Sequence, residues 1–463
     1  MTVRMKVKHK IEIKIQGLPQ EVHQDILSDL TLDNPEYLNA LKYGFYTGKI
    51  REKIFLYRSV IDKGTIIMPR GYGSRLLKKL NDAGIEYEII DERILLPEVD
   101  FGSQIKLKDY QTPAVEKLVY KRQGGVIAPS GSGKTEILLE CMARIKQPAL
   151  WICHTYELLY QTLERACRVL DISKDEVGII AGGQVTVGSR LTLALIQTLH
   201  KVDLENIKDS FGAIIIDEAH HLVATTFFET VNKFPALYRI WASATPERGD
   251  GLSQMVYVAG GPVNYQINYS ELPLEIPELV TVETTFSSQK KSYNELIQDL
   301  INDNERNQLV CKTIAEEAPG NYSLVLSERE DHLKTLEAML QKALPDLRIE
   351  VLRGQKRSKK RQRIIQDTED GNVDILIATQ LAREGLEIPR LNRLFLVTPK
   401  KAESAVEQEV GRIMSPYQDK SSAKVFDFWD VNSPILKSQF WNRRNVYNRM
   451  GIKWTPSHVR RKN

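Results

Sequence analysis

The 463-residue chain predicts an α/β protein: two domains built on parallel sheets, preceded by a small α+β block. Three observations carry this prediction. From residue 101 onward, short fully apolar runs alternate with helical patterns, as buried parallel strands and their crossover helices do. A glycine-rich segment ending in Lys134-Thr135 stands between one such run and a helix. Before residue 100 the pattern is different, with period-two alternation and one short amphipathic helix.

The elements follow in chain order. Residues 1–14 alternate basic and apolar side chains and read as a strand, with no signal-peptide core. A polar stretch containing Asn34-Pro35 comes next, then short strands near 54–57 and 64–68. Ser74 caps a helix that runs to Asn81, with Leu76, Leu77 and Leu80 on its buried face and Gly84 as its terminating glycine. Ile85, Tyr87 and Ile89 alternate with Glu86 and Glu88, as in a half-buried strand. No catalytic constellation occurs in this block.

Apolar runs at 126–127, 149–153, 191–195, 213–216 and 239–242 are the expected strands of the first large domain. Runs at 323–326, 374–378, 394–397 and 424–428 repeat the rhythm, without a sequence repeat. The junction is expected within 264–277. A last helix is capped by Ser433, has Pro434 at its first position and ends before Gly451. The expected division is 1–100, 101–265, 266–440 and a basic tail, 441–463.

Composition excludes several classes. Hydrophobic residues make up 42% and charged residues 27%, which rules out wholesale disorder. Cys141, Cys153, Cys167 and Cys311 form no C-x-x-C pair, so a disulfide scaffold and a Cys-rich zinc site are set aside, and reduced thiols in the cytoplasm are expected. No apolar run reaches the ~18 residues of a membrane span. Sixty-four basic residues against 60 acidic ones give a net +4.

The chemistry concentrates at two places. Ala128-Pro-Ser-Gly-Ser-Gly-Lys-Thr135 has the form of a phosphate-binding loop. Ser130, Gly131, Ser132 and Gly133 turn backbone amides inward, and Lys134 reaches the β- and γ-phosphates. Thr135 is the expected Mg²⁺ ligand. Ala128 stands where the general pattern has its first glycine. About 80 residues on, the apolar run 213–216 delivers Asp217 and Glu218 at its carboxyl end, where open α/β sheets bind ligands. Asp217 is expected to hold Mg²⁺, and Glu218 to orient and deprotonate the attacking water. His221 reads as a solvated neighbour.

These motifs resemble the superfamily 2 helicases of the DEAH-box type, whose motor consists of two RecA-like domains using ATP and Mg²⁺. The resemblance implies further roles. Lys108-Asp-Tyr-Gln111 is similar to the adenine-reading segment, with Gln111 on the base edge. Segments 154–161 and 191–199 are similar to DNA-contacting motifs. Ser243-Ala-Thr245 is similar to motif III, coupled to His220. The following residues, Pro246 to Gly251, are similar to the DNA-repair and branch-migration (XPB-like) branch. Segments 324–329 and 352–354 resemble motif IV and its neighbour. Ala378-Thr379 through Gly385 to Pro389 resembles motif V, and Gln408-Glu-Val-Gly-Arg412 resembles motif VI. These stations span about residues 107–415 in family order. ATP is then expected in a cleft with Lys134, Asp217 and Glu218 on one wall and Gln408 and Arg412 on the other. One departure stands out: Ser415 replaces a second arginine of motif VI. Arg412 alone, a substitute such as Arg383 or Lys420, or slow hydrolysis are the three consequences.

The basic run 353–363 has seven cations in eleven residues, and 441–463 has seven with no acid. Both suit a phosphate backbone. Arg353, Lys356, Arg357, Arg443 and Arg444 are the expected nucleic-acid contacts there, joined by Thr379 of the segment that resembles motif V. The first block resembles the N-terminal domain of phage UvsW-type branch-migration helicases, which implies that Arg70, Arg75, Lys78 and Lys79 face a duplex arm. The expected function is an ATP-dependent DNA helicase or translocase on single-stranded and branched DNA. An RNA remodeller and a nucleotide-dependent clamp are the rivals. A monomer in the cytoplasm of a bacterium or phage-infected cell is expected, without membrane association.

Overall fold

The computed structural model describes the chain except residues 1, 245–250, 354–358, 380–387, 401–402, 416, 418–419, 421, 455–458 and 461–463; the side chains of 404, 459 and 460 are likewise outside the description. It divides into two compact units, Met1–Ile267 and Asn268–Asn463.

The first unit opens with a five-stranded sheet. Its order is Arg58–Val60, Thr65–Pro69, Lys10–Lys14, Val3–Val7, Tyr87–Asp91. The single strand expected over 1–14 is in fact a tight antiparallel hairpin, with Met5 opposite Ile13 and the amide of Lys8 donating to the Lys10 carbonyl. Alternation continues through the turn, so the pattern alone hides it. Helix Gly73–Asp82 packs Leu76 and Leu80 on this sheet. Tyr87–Asp91 is an edge strand and is more exposed than its alternation suggests. A separate two-stranded ribbon pairs Thr31–Asp33 with Lys53–Phe55.

The larger sheet of this unit has eight strands. Its order is Gln184–Val185, Gly178–Ala181, Leu191–Leu195, Ala149–Cys153, Ala213–Ile216, Tyr238–Ser243, Gln123–Ile127, Val263–Gln266. All neighbours are parallel except the first pair. The runs at 149–153, 191–195 and 213–216 are strands of those bounds, and every residue in them is buried. The strand ending in Ser243 lies between the phosphate-loop strand and the strand that leads to Asp217. That placement decides the geometry of the site.

The small sheet does not stand apart from the large one. Met255 and Val258, from helix Ser253–Gly260, lie in the core of the small sheet beside Met5, Ile66 and Tyr72. The Arg70 guanidinium is buried and donates to the carbonyls of Ala236, at 2.5 Å, and Leu237. Gly71 sits so close to this helix that a Cβ there would lie 2.4 Å from the Val258 carbonyl oxygen.

The second unit has a seven-stranded parallel sheet: Ile349–Leu352, Ile375–Thr379, Ser323–Ser327, Arg393–Leu396, Lys424–Asp430, Glu278–Thr284, Val459–Arg460. The last helix is Pro434–Arg449, with Pro434 in its first turn and Gly451 at φ 78° just beyond its end. No boundary falls at 441, because Leu436, Phe440, Val446 and Tyr447 of this helix are core residues. A basic tail beginning at 441 is therefore corrected: residues 441–449 are the second half of a packed helix.

Candidate functional site

The phosphate loop links strand Gln123–Ile127 to helix Lys134–Ile145. Gly131 and Gly133 adopt φ of 78° and 77°, a left-handed conformation that side chains resist. Ala128 continues the strand, its amide donating to the Ser243 carbonyl at 3.0 Å. It is absent from the positive-φ positions, so no glycine is needed there. Ser132 is fully buried and its hydroxyl finds no partner in the protein. An orphaned hydroxyl in a ring of amides at a helix N-terminus is what a phosphate would satisfy.

Gln111 is also buried. Its Nε2 donates to the Ser132 carbonyl at 2.8 Å and its Oε1 accepts from the Lys108 amide at 2.9 Å. The amide braces the loop while keeping one N–H and one lone pair, which is the pattern an adenine edge needs.

Lys134 and the two carboxylates meet. Lys134 Nζ lies 3.4 Å from the Ala128 carbonyl oxygen and 3.8 Å from Glu218. Burial and the adjacent Glu218 charge push Asp217 up to about 7. Burial also acts on Glu218, but Lys134 and His220 outweigh it and hold that carboxyl well below the usual range. Glu218 itself is left-handed, at φ 52°, a strained backbone of a kind that recurs at active sites. Two carboxylates, Asp217 buried and Glu218 half-buried, stand by one ammonium, and the expected ligands, Asp217 and Thr135, offer hard oxygens. Both features fit Mg²⁺.

His220 joins two motifs. Its Nδ1 lies 3.2 Å from Glu218 Oε2 and 3.3 Å from Ser243 Oγ. With an ionised carboxylate as acceptor, Nδ1 carries the hydrogen. The sequence reading of His221 as solvated is corrected. Its ring is half-buried and stacks between His220, at 4.2 Å, and His154, at 3.9 Å. Burial lowers His154 to about 4, so this stack includes a neutral imidazole at pH 7. The His154 carbonyl in turn accepts from Gln197. This ladder escaped the sequence reading because His154 is 66 residues from His220; the side-by-side strands Ala149–Cys153 and Ala213–Ile216 create it.

In the second unit, helix Glu403–Gly411 is buried from Ala405 onward except at Gln408, which is half-buried, and Arg412, also half-buried, is the first residue past the helix. Ser415 has no compensating Lys420. That ammonium donates to the carbonyls of Ser415 (2.7 Å), Ile413 (2.8 Å) and Pro389 (3.0 Å), and burial lowers it to about 8. Thr245, Gly385, Lys356, Arg357 and Arg383 lie outside the described residues.

The expected nucleic-acid contacts fare unevenly. Arg70 is corrected: it is 3% exposed and clamps the small sheet to the large one. Lys79 pairs with Asp25 and Asp29, and Arg75 approaches Asp29 at 3.8 Å, so the helix face is partly self-neutralised; Lys78 is exposed. Arg443 is corrected likewise: it is 2% exposed and makes two 2.8 Å bonds to Asp427, which also accepts from Tyr447. Arg444 lies between Trp441 and Trp454, 5.0 and 4.9 Å from their ring centres. Arg353 is exposed and pairs with Glu337, and Thr379 is buried at its strand end.

Fold and site together define a P-loop nucleotide-binding protein with two RecA-like domains. Residues 104–248 match the family described as "Type III restriction enzyme, res subunit", and residues 305–416 match "Helicase conserved C-terminal domain". These matches, one in each unit, support a superfamily 2 helicase. It is 30% identical over 188 residues to a DNA 3'-5' translocase XPB2 of Sulfurisphaera tokodaii, covering 41% of each chain. It is 28% identical over 384 residues to a probable helicase D10 of Escherichia phage T5, covering 81% of this chain and 83% of that one. A solved structure of S. cerevisiae Dbp5 bound to RNA and ADP BeF3 shares the fold, with 16% identity, a TM-score of 0.56, and coverage of 77% and 90%.

Proposed function

We propose that the chain is an ATP-dependent DNA helicase or translocase that remodels branched DNA. The observation that carries this reading is the unbroken contact series Lys134–Glu218–His220–Ser243, running from the phosphate loop to the strand-end motif beside it. The likeness to a DNA 3'-5' translocase supports the DNA assignment.

Mg²⁺ held by Thr135 and Asp217 would supply charge neutralisation at the phosphates. Lys134 binds their oxygens, and Gln111 orients the base. Glu218, kept ionised, positions a water and takes its proton as that water's oxygen bonds to the γ-phosphorus and the bond to ADP breaks. Once Glu218 is protonated it loses the negative charge that attracts the His220 Nδ1 hydrogen. The balance of that hydrogen shifts toward Ser243, and the site's state is passed to the next strand. By the motif VI resemblance, Arg412 is assigned to the γ-phosphate and Gln408 to the water. An arginine in this role is typically worth about 10³–10⁵ in rate. A second reading, a clamp with weak turnover, draws on Ser415 and on the commitment of Lys420 to three carbonyls.

Steady-state ATP hydrolysis with no effector, single-stranded DNA, a four-way DNA junction and RNA separates these. Lys134→Ala serves as the blank. Stimulation by DNA above RNA, greatest with the junction, is expected. Preference for RNA overturns the DNA assignment, and nucleotide-dependent DNA binding without turnover selects the clamp.

A further inference from the structure

The segment 31–55 is an excursion from the small sheet. The ribbon pairing Thr31 with Phe55 and Asp33 with Lys53 closes its root. Asn34 closes it again: its side chain caps helix Pro35–Lys42 through the Glu36 amide, and its Nδ2 donates to the Arg51 carbonyl at 2.7 Å. Beyond the helix, Gly44 takes φ 69° and the Phe45 amide returns to the Ala40 carbonyl, turning the chain sharply. The residues thrown outward by this turn are aromatic. Tyr43, Phe45 and Tyr46 are 65%, 69% and 79% exposed, with Leu38, Leu41 and Phe55 at 50% or more.

Such exposure has a cost that a pinned tip does not need to bear. A covered aromatic ring buries 150–250 Å², and soluble proteins rarely leave several together in water. The surrounding charge says what covers them. From Tyr37 to Arg51 there are three cations, Lys42, Lys49 and Arg51, and no acid. Lys42 Nζ lies 5.7 Å from the Tyr43 ring centre. The nearest acids in sequence are Glu36 and Glu52, at the root, while Asp33 is spent on Lys53. Protein interfaces deplete lysine, whereas rings interleaved with cations match a base face beside a phosphate.

We infer that the tip formed by Tyr43, Phe45 and Tyr46, flanked by Lys42, Lys49 and Arg51, stacks on unpaired bases where a DNA duplex branches. This rests on the DNA reading above and deepens it, moving the branch-recognition site from the cations of residues 70–79 to the excursion 31–55. No covalent step is involved.

The test uses the full chain with Phe45→Ser/Tyr46→Ser, and separately Lys49→Ala/Arg51→Ala. The probe is a four-way junction carrying 2-aminopurine either at the branch point or well inside an arm. Wild type is expected to alter fluorescence at the branch and not in the arm. The aromatic pair should abolish that signal and weaken junction binding about tenfold or more. Its ATPase with single-stranded DNA should stay within about twofold of wild type, and its melting temperature should be unchanged. The charge pair should weaken binding and lower the salt dependence by about two phosphates' worth. Unchanged junction affinity and signal in the aromatic variant overturn the inference, as does equal weakening on junction and single strand. If no nucleic acid stimulates wild-type hydrolysis, it is the functional reading itself that fails, before any variant is compared.

Discussion

Single buried side chains set what this protein tolerates. His332 is 1% exposed, between Ser327 Oγ and Asn307 Oδ1, each 2.9 Å from a ring nitrogen. Burial, with Arg306 nearby, lowers it to about 3. Above pH 6.5 the ring is neutral folded and unfolded alike and contributes no pH dependence. Between about 6.5 and 3 the unfolded chain takes up a proton that the folded one refuses, so stability falls as pH falls. The slope approaches ~1.4 kcal/mol per pH unit from this one group. Urea midpoints measured across pH 4 to 7 should show a shallower dependence in His332→Gln. Arg443 presents the opposite case, a buried ion pair. Arg443→Ala strands the Asp427 carboxylate and should cost about 3–5 kcal/mol in chemical denaturation. Its affinity for single-stranded DNA should not change, because the guanidinium never faces solvent.

At the level of elements, the strand Tyr238–Ser243 matters most. Its last residue holds Ala128 through a carbonyl and His220 through a hydroxyl, so one strand end touches both nucleotide motifs. The helix Ser253–Gly260 has a comparable double duty, packing on the large sheet while lending Met255 and Val258 to the core of the small one. Gly71 is where the two approach most tightly. A Cβ there would lie 2.4–2.7 Å from backbone atoms of Val258, Tyr257 and Gly261, none of which is a flexible side-chain end. Gly71→Ala should therefore part the helix from the short turn Arg70–Tyr72 and destabilise the first unit. Limited proteolysis should then cut near residues 92–100 faster than in wild type, with ATP binding less affected than thermal stability.

For the whole molecule, the small N-terminal sheet behaves as part of the first unit rather than as a detachable module. Ile94 bridges to Ala236, Gln147 binds both the amide and carbonyl of Leu96, and Arg70 is spent on the Ala236 and Leu237 carbonyls. Deleting residues 1–95 would bare Met255 and Val258, at about 1.5–3 kcal/mol each. The truncated protein should melt earlier and aggregate, which differential scanning and light scattering would register. A truncation whose stability equals that of the full chain would show the small sheet to be separable. Substitutions at the exposed 43–46 tip are for this reason the sounder probe of branched-DNA recognition.

Local pattern was enough for the parallel strands and for the nucleotide motifs. Runs such as 149–153 and 213–216 are buried on both faces, so their apolar character leaves little choice of structure. The phosphate loop needs glycines at fixed positions, and Pro434 and Gly451 mark the last helix by backbone constraint alone. Charge was a poorer guide, because a cation's meaning depends on what folds against it. Arg70 and Arg443 sit in basic stretches of sequence like Lys78 and Arg353, yet both are buried on carbonyls or a carboxylate brought from elsewhere in the chain. The histidine stack and the Lys420 clamp likewise join residues on different elements. What the sequence by itself determined is the repeating architecture and the residues that meet a nucleotide, because those follow from local backbone geometry. Which cations remain free to meet a polynucleotide was decided only by tertiary structure, because burial and pairing are properties of distant residues made neighbours.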